Sequence, residues 1–501
     1  MKSEYVNRFV VESGFMYNLV NSVRDSVAII GKKVKGSIGQ LEELVYDLMD
    51  TLYYINDIFE EHNAEFDLGV LLNIKRLLIF PVLYGSFTTT QLLPHHVPIP
   101  ISLYVISQII SQVKHPDLQK FLICTLFSCE LPGSYLECMK QSVCSEELVR
   151  ESGGLEPNPI FINLQQFIKC GDDNLVALGL NIILVSLSSG GQEVILKELG
   201  LLPGLQTEKY INWVELIGEN LTNDHELRFF TCLLAIRCLK KMLMKDNQLS
   251  YSLLTQILKN ATIKLSETLI SSSANPKAPK DYSKLMKTQW EYIKAIKWEE
   301  KFSVPLNLIC PSIDEVNAPL ENRRHLAETE KFINEMRYFW LYRNFFGLLQ
   351  GMEIENEYPV NFNPMCDIDV DKVYKIFDRC FVDKPKILVK SKDKKGLSTK
   401  VLVRDENFFI LLRKCEESED SYRIDALKNL GQVTLAENPN PKVFVVFLQD
   451  TGKIEIIFED TMEWLSLKNF YEKSVRNIKI TETIEIQNFL REQKRVLDKF
   501  E

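Results

Sequence analysis

The sequence has little of what would mark a fibrous, disordered or strongly basic protein. Its 501 residues include only 21 glycines and 19 prolines, and 46% of them are hydrophobic, which excludes collagen-like and wholly disordered chains. Lys and Arg total 59 against 68 Asp and Glu, so the net charge of −9 excludes a generally basic nucleic-acid-binding protein. The length allows roughly two to four globular domains.

The sequence also lacks a metal-binding or disulfide framework. Its eleven cysteines are an odd number without a CxxC pair, and its six histidines form neither HExxH nor a Cys/His zinc spacing, so we expect reduced, buried thiols and no RING-type zinc domain. The opening of an EF-hand calcium loop is matched by Asp367, Asp369 and Asp371. However, Lys372 stands where that loop has its glycine, and Asp378 stands where it has its glutamate. We predict no metal and no cofactor.

No apolar run is long enough to cross a membrane. The longest, 68–84, is interrupted by Lys75, Arg76 and Pro81, and falls short of the roughly 20 apolar residues that a spanning helix needs. The first residues contain neither an uninterrupted apolar core nor a small-residue cleavage site, so we expect no secretory signal and a cytoplasmic location.

Motifs of nucleotide binding and catalysis are missing as well. The sequence contains no GxxxxGK[ST], GxGxxG, GxSxG or kinase signature. Paired acids such as Glu299 and Glu300 lie in helical patterns, where solvated faces are far commoner than acid/base dyads. We therefore predict that the protein is not an enzyme.

Helical periodicity dominates residues 1–350. Apolar residues recur at i, i+3, i+4 and i+7, and some segments, such as 229–236, are apolar nearly all round and need neighbours on several faces. The pattern predicts an irregular, armadillo-like helical solenoid. The predicted helices cover 38–61, two segments of 99–127 separated at 115–116, 163–168, 174–187, 192–199, 226–244, 249–268 and 325–350.

The helical periodicity ends at Gly351, and β-type segments follow further along the chain. We predict a linker over 351–383 with a short helix at 369–381, and then a small antiparallel-β module over 384–501 with closing helices at 461–479 and 484–500. This layout is pleckstrin-homology-like (PH-like) by analogy of fold. The predicted strands are 386–389, 400–404, 408–412, 431–435, 443–449 and 453–458.

Several segments in collinear order resemble a known family. They are LMDTLYYINDIF at 48–59, LLIFPVLY at 77–84, IPISLYVISQIISQVKHP at 99–116, and the regions 326–349 and 399–479. On these residues the chain resembles the endosomal-maturation (Ema) family, which includes the C-type lectin domain family 16 member A proteins. Residue 1 falls where the family's N-terminal FPL domain ends, and the connection 128–159 is short where animal members carry a long charged insert. We expect this chain to lack both features.

The resemblance implies a non-enzymatic scaffold of endosomal trafficking and autophagy, which supports endosome maturation, lysosomal delivery and mitophagy. Implied partners are the vesicle tethering and fusion machinery and an anionic endosomal membrane surface. An alternative implied function is an adaptor that regulates a RING-type E3 ubiquitin ligase in mitochondrial clearance. The implied location is peripheral, on endosomal, lysosomal or Golgi-derived membranes.

A cluster of lysines is the candidate binding site. Residues 384–404 contain eight basic residues and one acid, a net charge of +7 that leaves −16 for the rest of the chain. In a PH-like module, 391–398 would be the first hairpin loop, where each Lys near an anionic surface contributes about 1 kcal/mol. Specific phosphoinositide binding, weak attraction to an anionic surface and a merely solvated hairpin remain open, because the basic-x-Arg pair of lipid-binding modules is absent from 400–404. The candidate lysines are Lys384, Lys386, Lys390, Lys392, Lys394, Lys395 and Lys400.

Overall fold

In the computed structural model, the chain forms two compact units. The helical unit comprises 1–271, 289–354 and 496–501, and the sheet unit comprises 272–288 and 355–495. The structure describes residues 13–33, 38–61, 63–88, 96–130, 158–204, 206–222, 227–243, 251–273, 282–296, 298, 305–309, 319–323, 326–352, 357–360, 373–375, 384–393, 396–415, 421–430, 433–436, 443–448, 452–458 and 461–498.

The described residues before 354 form helices and their connections, which belong to the helical unit except for 272–288. They are α1 Phe15–Lys33, α2 Ile38–Glu60, α3 Ala64–Asn73, a π-helix Ile74–Tyr84, α4 Gly85–Thr88, α5 Ile99–Gln112, α6 Pro116–Phe127, α7 Pro159–Lys169, α8 Asp173–Leu187, α9 Glu193–Glu198, α10 Thr207–Thr222, α11 Phe229–Leu243, α12 Tyr251–Ser273, α13 Tyr282–Lys294, two 3₁₀ turns Leu306–Leu308 and Leu320–Asn322, and α14 Glu328–Leu349. Within the described residues, no helix is long and apolar enough to span a membrane.

Two of these helix boundaries follow directly from the sequence. α6 begins at Pro116, because proline has no N–H to lose at the first helical position. α14 ends in a Schellman motif: Gly351 adopts φ 72°, and the N–H of Met352 donates to the carbonyl of Gly347 over 2.9 Å.

The all-round apolar segment 229–236 is buried throughout in α11, which packs against α8, α10 and α14.

The sheet unit contains one antiparallel sheet, so the prediction of a mainly helical chain with a C-terminal antiparallel sheet is confirmed. Among the described residues it has eight strands in the order β1-β5-β4-β3-β2-β8-β7-β6. The strands are β1 Val373–Lys375, β2 Lys386–Asp393, β3 Gly396–Arg404, β4 Phe408–Lys414, β5 Ser421–Asn429, β6 Val433–Ala436, β7 Val443–Leu448 and β8 Gly452–Ile457, followed by α15 Thr461–Leu497.

Three expectations for this unit were wrong. Val373–Lys375 forms a strand that pairs with Ser421–Arg423, inside the segment predicted as a short helix, and β5 was not predicted at all. The two predicted closing helices are one helix, α15, because buried Ile478, Ile486 and Leu490 continue the helical period through the polar stretch between them.

Hydrophobic clusters lie on both faces of the sheet. One contains Leu402, Phe409 and Ile456 and is covered by Leu467 and Tyr471 of α15. The other is built by Tyr374, Val401, Val403, Ile410 and Leu412. Most of the predicted linker 351–383, including the aspartates at 367, 369 and 371, lies outside the described residues, as do 131–157 of the shortened connection.

Candidate functional site

The candidate lysines that the structure describes lie on or next to a β-hairpin formed by β2 and β3. The strands pair continuously from Lys386 opposite Val403 to Asp393 opposite Gly396. Side chains alternate between the two faces of a strand, so Val389 and Ser391 are buried whereas Leu388, Lys390 and Lys392 are exposed. The register therefore decides which lysines can meet a partner.

The exposed side of the hairpin combines positive charge with apolar surface. Lys390 lies opposite Thr399 and Lys392 opposite Leu397, and such cross-strand neighbours are roughly 5 Å apart. Leu388 and Leu397 are 70% and 62% exposed. We call the surface formed by Leu388, Lys390, Lys392, Leu397 and Thr399 the hairpin face.

The neighbouring strand β8 borders this surface. Ile457 pairs with Lys390, and Glu455 pairs with Lys392, so both lie on the same side of the sheet as the two lysines. The Glu455 carboxylate offsets part of their positive charge. The hairpin face is therefore weakly basic and amphiphilic rather than strongly cationic.

Lys384 and Lys386 lie at the opposite end of the hairpin. The Lys384 ammonium is 2.5 Å from a carboxylate oxygen of Asp405, and Lys386 Nζ donates to the Lys384 carbonyl over 3.1 Å. Asp405 also accepts from the N–H groups of Asn407 and Phe408, which fixes the turn into β4. At about 3.3 Å per residue, Lys386 is about 20 Å along the strand from Lys392.

Lys400 does not belong to an exposed surface, so its assignment as a membrane contact was wrong. Its side chain is 1% exposed, and its Nζ lies 2.6 Å from Oδ2 of Asp425. Asp425 is the additional residue at a β-bulge, where the β4–β5 register shifts between Leu411 and Leu412. A buried lysine requires such a partner because desolvation of an unpaired ammonium is costly.

The base of the hairpin is supported by α15. Tyr471 is fully buried in the cluster beneath Leu402 and Phe409, and its hydroxyl donates to the Val403 carbonyl over 3.4 Å. Burial raises the pKa of Tyr471, and nearby Asp405 raises it further while Arg404 lowers it. The phenol therefore stays neutral and positions β3.

The structure thus brings together only part of the predicted set. Lys390 and Lys392 share one face, Lys384 and Lys386 lie elsewhere, Lys400 is internal, and Lys394 and Lys395 lie outside the described residues. Sequence reasoning missed Leu388 and Leu397, although their alternation with the lysines is visible once the strand bounds are known. In the part of the chain that the structure describes, no group of three or more His, Cys, Asp or Glu side chains could hold a metal ion.

Comparisons with known proteins do not assign the chain to a family. No protein-family model matches it, and no curated protein matches it significantly. Among solved structures, one similar chain comes from "Vav1 inhibited by an allosteric inhibitor: Vav1 inhibitors block GEF activity", with 9% identity over 78% of this chain and 83% of that chain. Its TM-score of 0.17 is too low to carry an argument about fold or function.

Proposed function

We propose that the protein is a non-enzymatic, peripherally membrane-associated scaffold of endosomal trafficking and autophagy. The helices of the first unit would form an irregular, armadillo-like solenoid that holds trafficking partners, and the sheet unit would be a PH-like module that contacts the membrane. The resemblance of 48–59, 77–84 and 99–116 to the Ema family supports the pathway. The hairpin face is the observation that carries the membrane contact.

The hairpin face has the chemistry that a peripheral membrane contact requires. Two lysines near an anionic bilayer contribute about 2 kcal/mol together, and two exposed leucines can enter the apolar part of the interface without unfolding anything. The free energy is modest because Glu455 borders the lysines. We therefore propose reversible binding to anionic membranes that is completed by a protein partner, rather than stable anchoring by one lipid headgroup.

Vesicle co-sedimentation of the full chain tests the membrane contact. Vesicles of phosphatidylcholine with and without phosphatidylserine are compared, and the variant Lys390→Ala/Lys392→Ala should bind the anionic vesicles about 30-fold more weakly, the equivalent of about 2 kcal/mol. The variant Leu388→Ser/Leu397→Ser should also weaken binding, because it removes the apolar contribution. The wild-type affinity should fall with salt, since exposed charges are screened.

A matched variant controls for overall charge. Lys473 and Arg476 are exposed on α15, so Lys473→Ala/Arg476→Ala removes the same charge at another position and should leave vesicle binding unchanged. Equal losses in both double variants would refute a specific hairpin face. In cells, the tagged wild type should co-localise with endosomal markers, and a diffuse wild type would contradict the trafficking proposal itself.

A further inference from the structure

The helical unit contains a cavity that the trafficking proposal does not use. Its volume is about 690 Å³, and it is bordered by the end of α10, by α12, by α14, and by Arg323 and Leu326. This size is typical of ligand sites. Lining residues Asn260, Lys264 and Lys331 are exposed, so the cavity opens to solvent.

Asn334 is the unusual residue in its wall. The side chain lines the cavity and is only 2% exposed, yet neither Oδ1 nor Nδ2 has a hydrogen-bond partner among the described residues. Most buried polar groups in native proteins are hydrogen-bonded, since an unpaired one lowers stability. An amide kept in this state points to an absent hydrogen-bonding partner.

Its chain neighbour adds a second open acceptor. Glu335 also lines the cavity, and its Oε2 lacks a hydrogen-bond partner in the described structure. Burial raises the pKa of the Glu335 carboxyl, against the lowering effects of a hydrogen bond from Thr268 and of Lys264 and Lys331. The two adjacent side chains therefore offer one donor group and two acceptor oxygens to an occupant.

Two tyrosines and a cysteine that also line the cavity are already hydrogen-bonded. The Tyr338 hydroxyl donates to the Leu227 carbonyl over 2.9 Å, and Tyr342 is hydrogen-bonded to Cys232, whose pKa burial raises to about 12. The Cys232 thiol is therefore neutral at physiological pH. These groups fix the shape of the wall, and among its buried side-chain atoms the ones without a hydrogen-bond partner belong to Asn334 and Glu335.

We propose that this cavity binds an extended peptide segment of a partner protein, whose main-chain amide pairs with the Asn334 carboxamide. A carboxamide carries donors and an acceptor in one plane, as a peptide group does, and an extended chain presents further N–H groups within reach of Glu335 Oε2. Apolar lining residues Leu221, Ile257 and Leu326 would contact its side chains.

Simple ions fit the cavity less well than a peptide. An anion would pair with Asn334 Nδ2 but would leave Oδ1 unsatisfied and would face Glu267 and Glu335. A cation would pair with the carboxyl groups but would face Lys264 and Lys331. A neutral group with both a donor and an acceptor satisfies the asparagine without opposing either set of charges.

The minimal probe is N-methylacetamide, which has one N–H and one carbonyl, compared with N,N-dimethylacetamide, which has only the carbonyl. The full chain is labelled with ¹⁵N-asparagine, and the Asn334 side-chain resonance is assigned by its loss in Asn334→Leu. N-methylacetamide should shift this resonance at a concentration at least tenfold lower than N,N-dimethylacetamide. Equal responses to the two probes, or none, would overturn the proposal.

The peptide itself is tested by selecting phage-displayed random heptapeptides on the full chain and measuring the affinity of enriched, end-capped peptides. Asn334→Leu should weaken binding at least tenfold. Asn344→Leu is the matched control, because Asn344 lies on the same helix, is 7% exposed and has an unbonded Nδ2, but is not among the cavity-lining residues described. It should bind peptides as the wild type does.

Circular dichroism establishes that each variant is folded. If Asn334→Leu does not fold, Asn334→Asp keeps the size and the acceptor but removes the donor, and should also weaken binding at least tenfold. Two results contradict the peptide assignment: selection that enriches the same peptides on Asn334→Leu, and heptapeptides that bind no more tightly than N-methylacetamide. The second result would identify a site for small amides instead.

Discussion

The buried ion pair between Asp173 and Arg228 should be among the strongest single determinants of stability in the helical unit. Arg228 Nη1 lies 2.8 Å from Asp173 Oδ2, and the two side chains are 1% and 5% exposed. Asp173 Oδ1 also accepts from the Thr231 hydroxyl over 2.6 Å and from the Arg228 N–H over 3.1 Å. The network joins the first turn of α8 to the start of α11.

Removal of one partner should cost far more than the net contribution of the pair. Asp173→Ala leaves the Arg228 guanidinium buried without its carboxylate, although Asn174 Oδ1 at 2.7 Å still accepts from it, and breaking a buried pair in this way costs about 3–5 kcal/mol. For a unit of this size we expect the midpoint of thermal unfolding to fall by about 6–10 °C, since each kcal/mol shifts it by about 2 °C.

The assay is urea and thermal denaturation followed by circular dichroism, with a double-mutant cycle. Asp173→Leu/Arg228→Met should be less destabilised than Asp173→Leu or Arg228→Met alone, because it removes both charges together. Asp172→Ala is the local control: Asp172 caps α8 by accepting from the Asn174 N–H over 2.9 Å, and the loss of such a cap should cost about 1 kcal/mol. A cost below about 1 kcal/mol for Asp173→Ala, or additive effects in the cycle, would refute this reasoning.

Two further predictions concern groups at the candidate sites. Lys400→Met should destabilise the sheet unit by about 2 kcal/mol, which is less than for a fully buried pair because the Asp425 side chain is 21% exposed. Denaturation should show that Lys400→Met/Asp425→Asn recovers part of this stability. If Lys400→Met loses no stability, the pair is not formed. The pKa of Glu335 is raised in the folded state, so the folded protein binds the Glu335 proton more tightly than the unfolded chain does. The stability gained from this proton is fully present below the ordinary pKa of 4.5. It is lost as the pH rises through the raised pKa. Glu335→Gln should therefore match the wild type in acid and be more stable at neutral pH, and a pH-independent difference in unfolding free energy would contradict the shift.

The helices were predictable where the apolar period was strong and its ends carried steric signals. α2, α5 and α6 follow from i, i+3, i+4 spacing, and Pro116 and Gly351 mark boundaries through their backbone restrictions. The polar stretch within α15 contains no proline or glycine, so only its polar composition led to the prediction of a break between two helices. The helix continues because isoleucines and leucines on both sides of the stretch are buried.

The lysine surface was only partly predictable because the buried side of a strand depends on what the sheet packs against. A strand beginning at Lys400 and one beginning at Gly396 both place Lys400 on the same side as Leu402, but that this side is buried follows only from the folded structure. The compensating acid, Asp425, lies 25 positions away in a strand that was not predicted at all. No local pattern reports such a pairing, because it is created by the order of strands in the sheet.

Buried polar side chains that the structure describes in the helical unit either have a partner, as Asp173 has, or have none, as Asn334. Mutation should change the free energy of unfolding in opposite directions in the two cases. Asp173 and Arg228 are buried as an ion pair, and Asp173 Oδ1 also accepts two hydrogen bonds, so truncating Asp173 should lower the free energy of unfolding. Asn334 is equally buried with both amide atoms unbonded, so Asn334→Leu, which keeps a similar size, should raise it by about 1–2 kcal/mol. A gain in stability together with a loss of peptide binding is the trade-off expected of a binding residue, whereas a loss in both would assign Asn334 to the structural network.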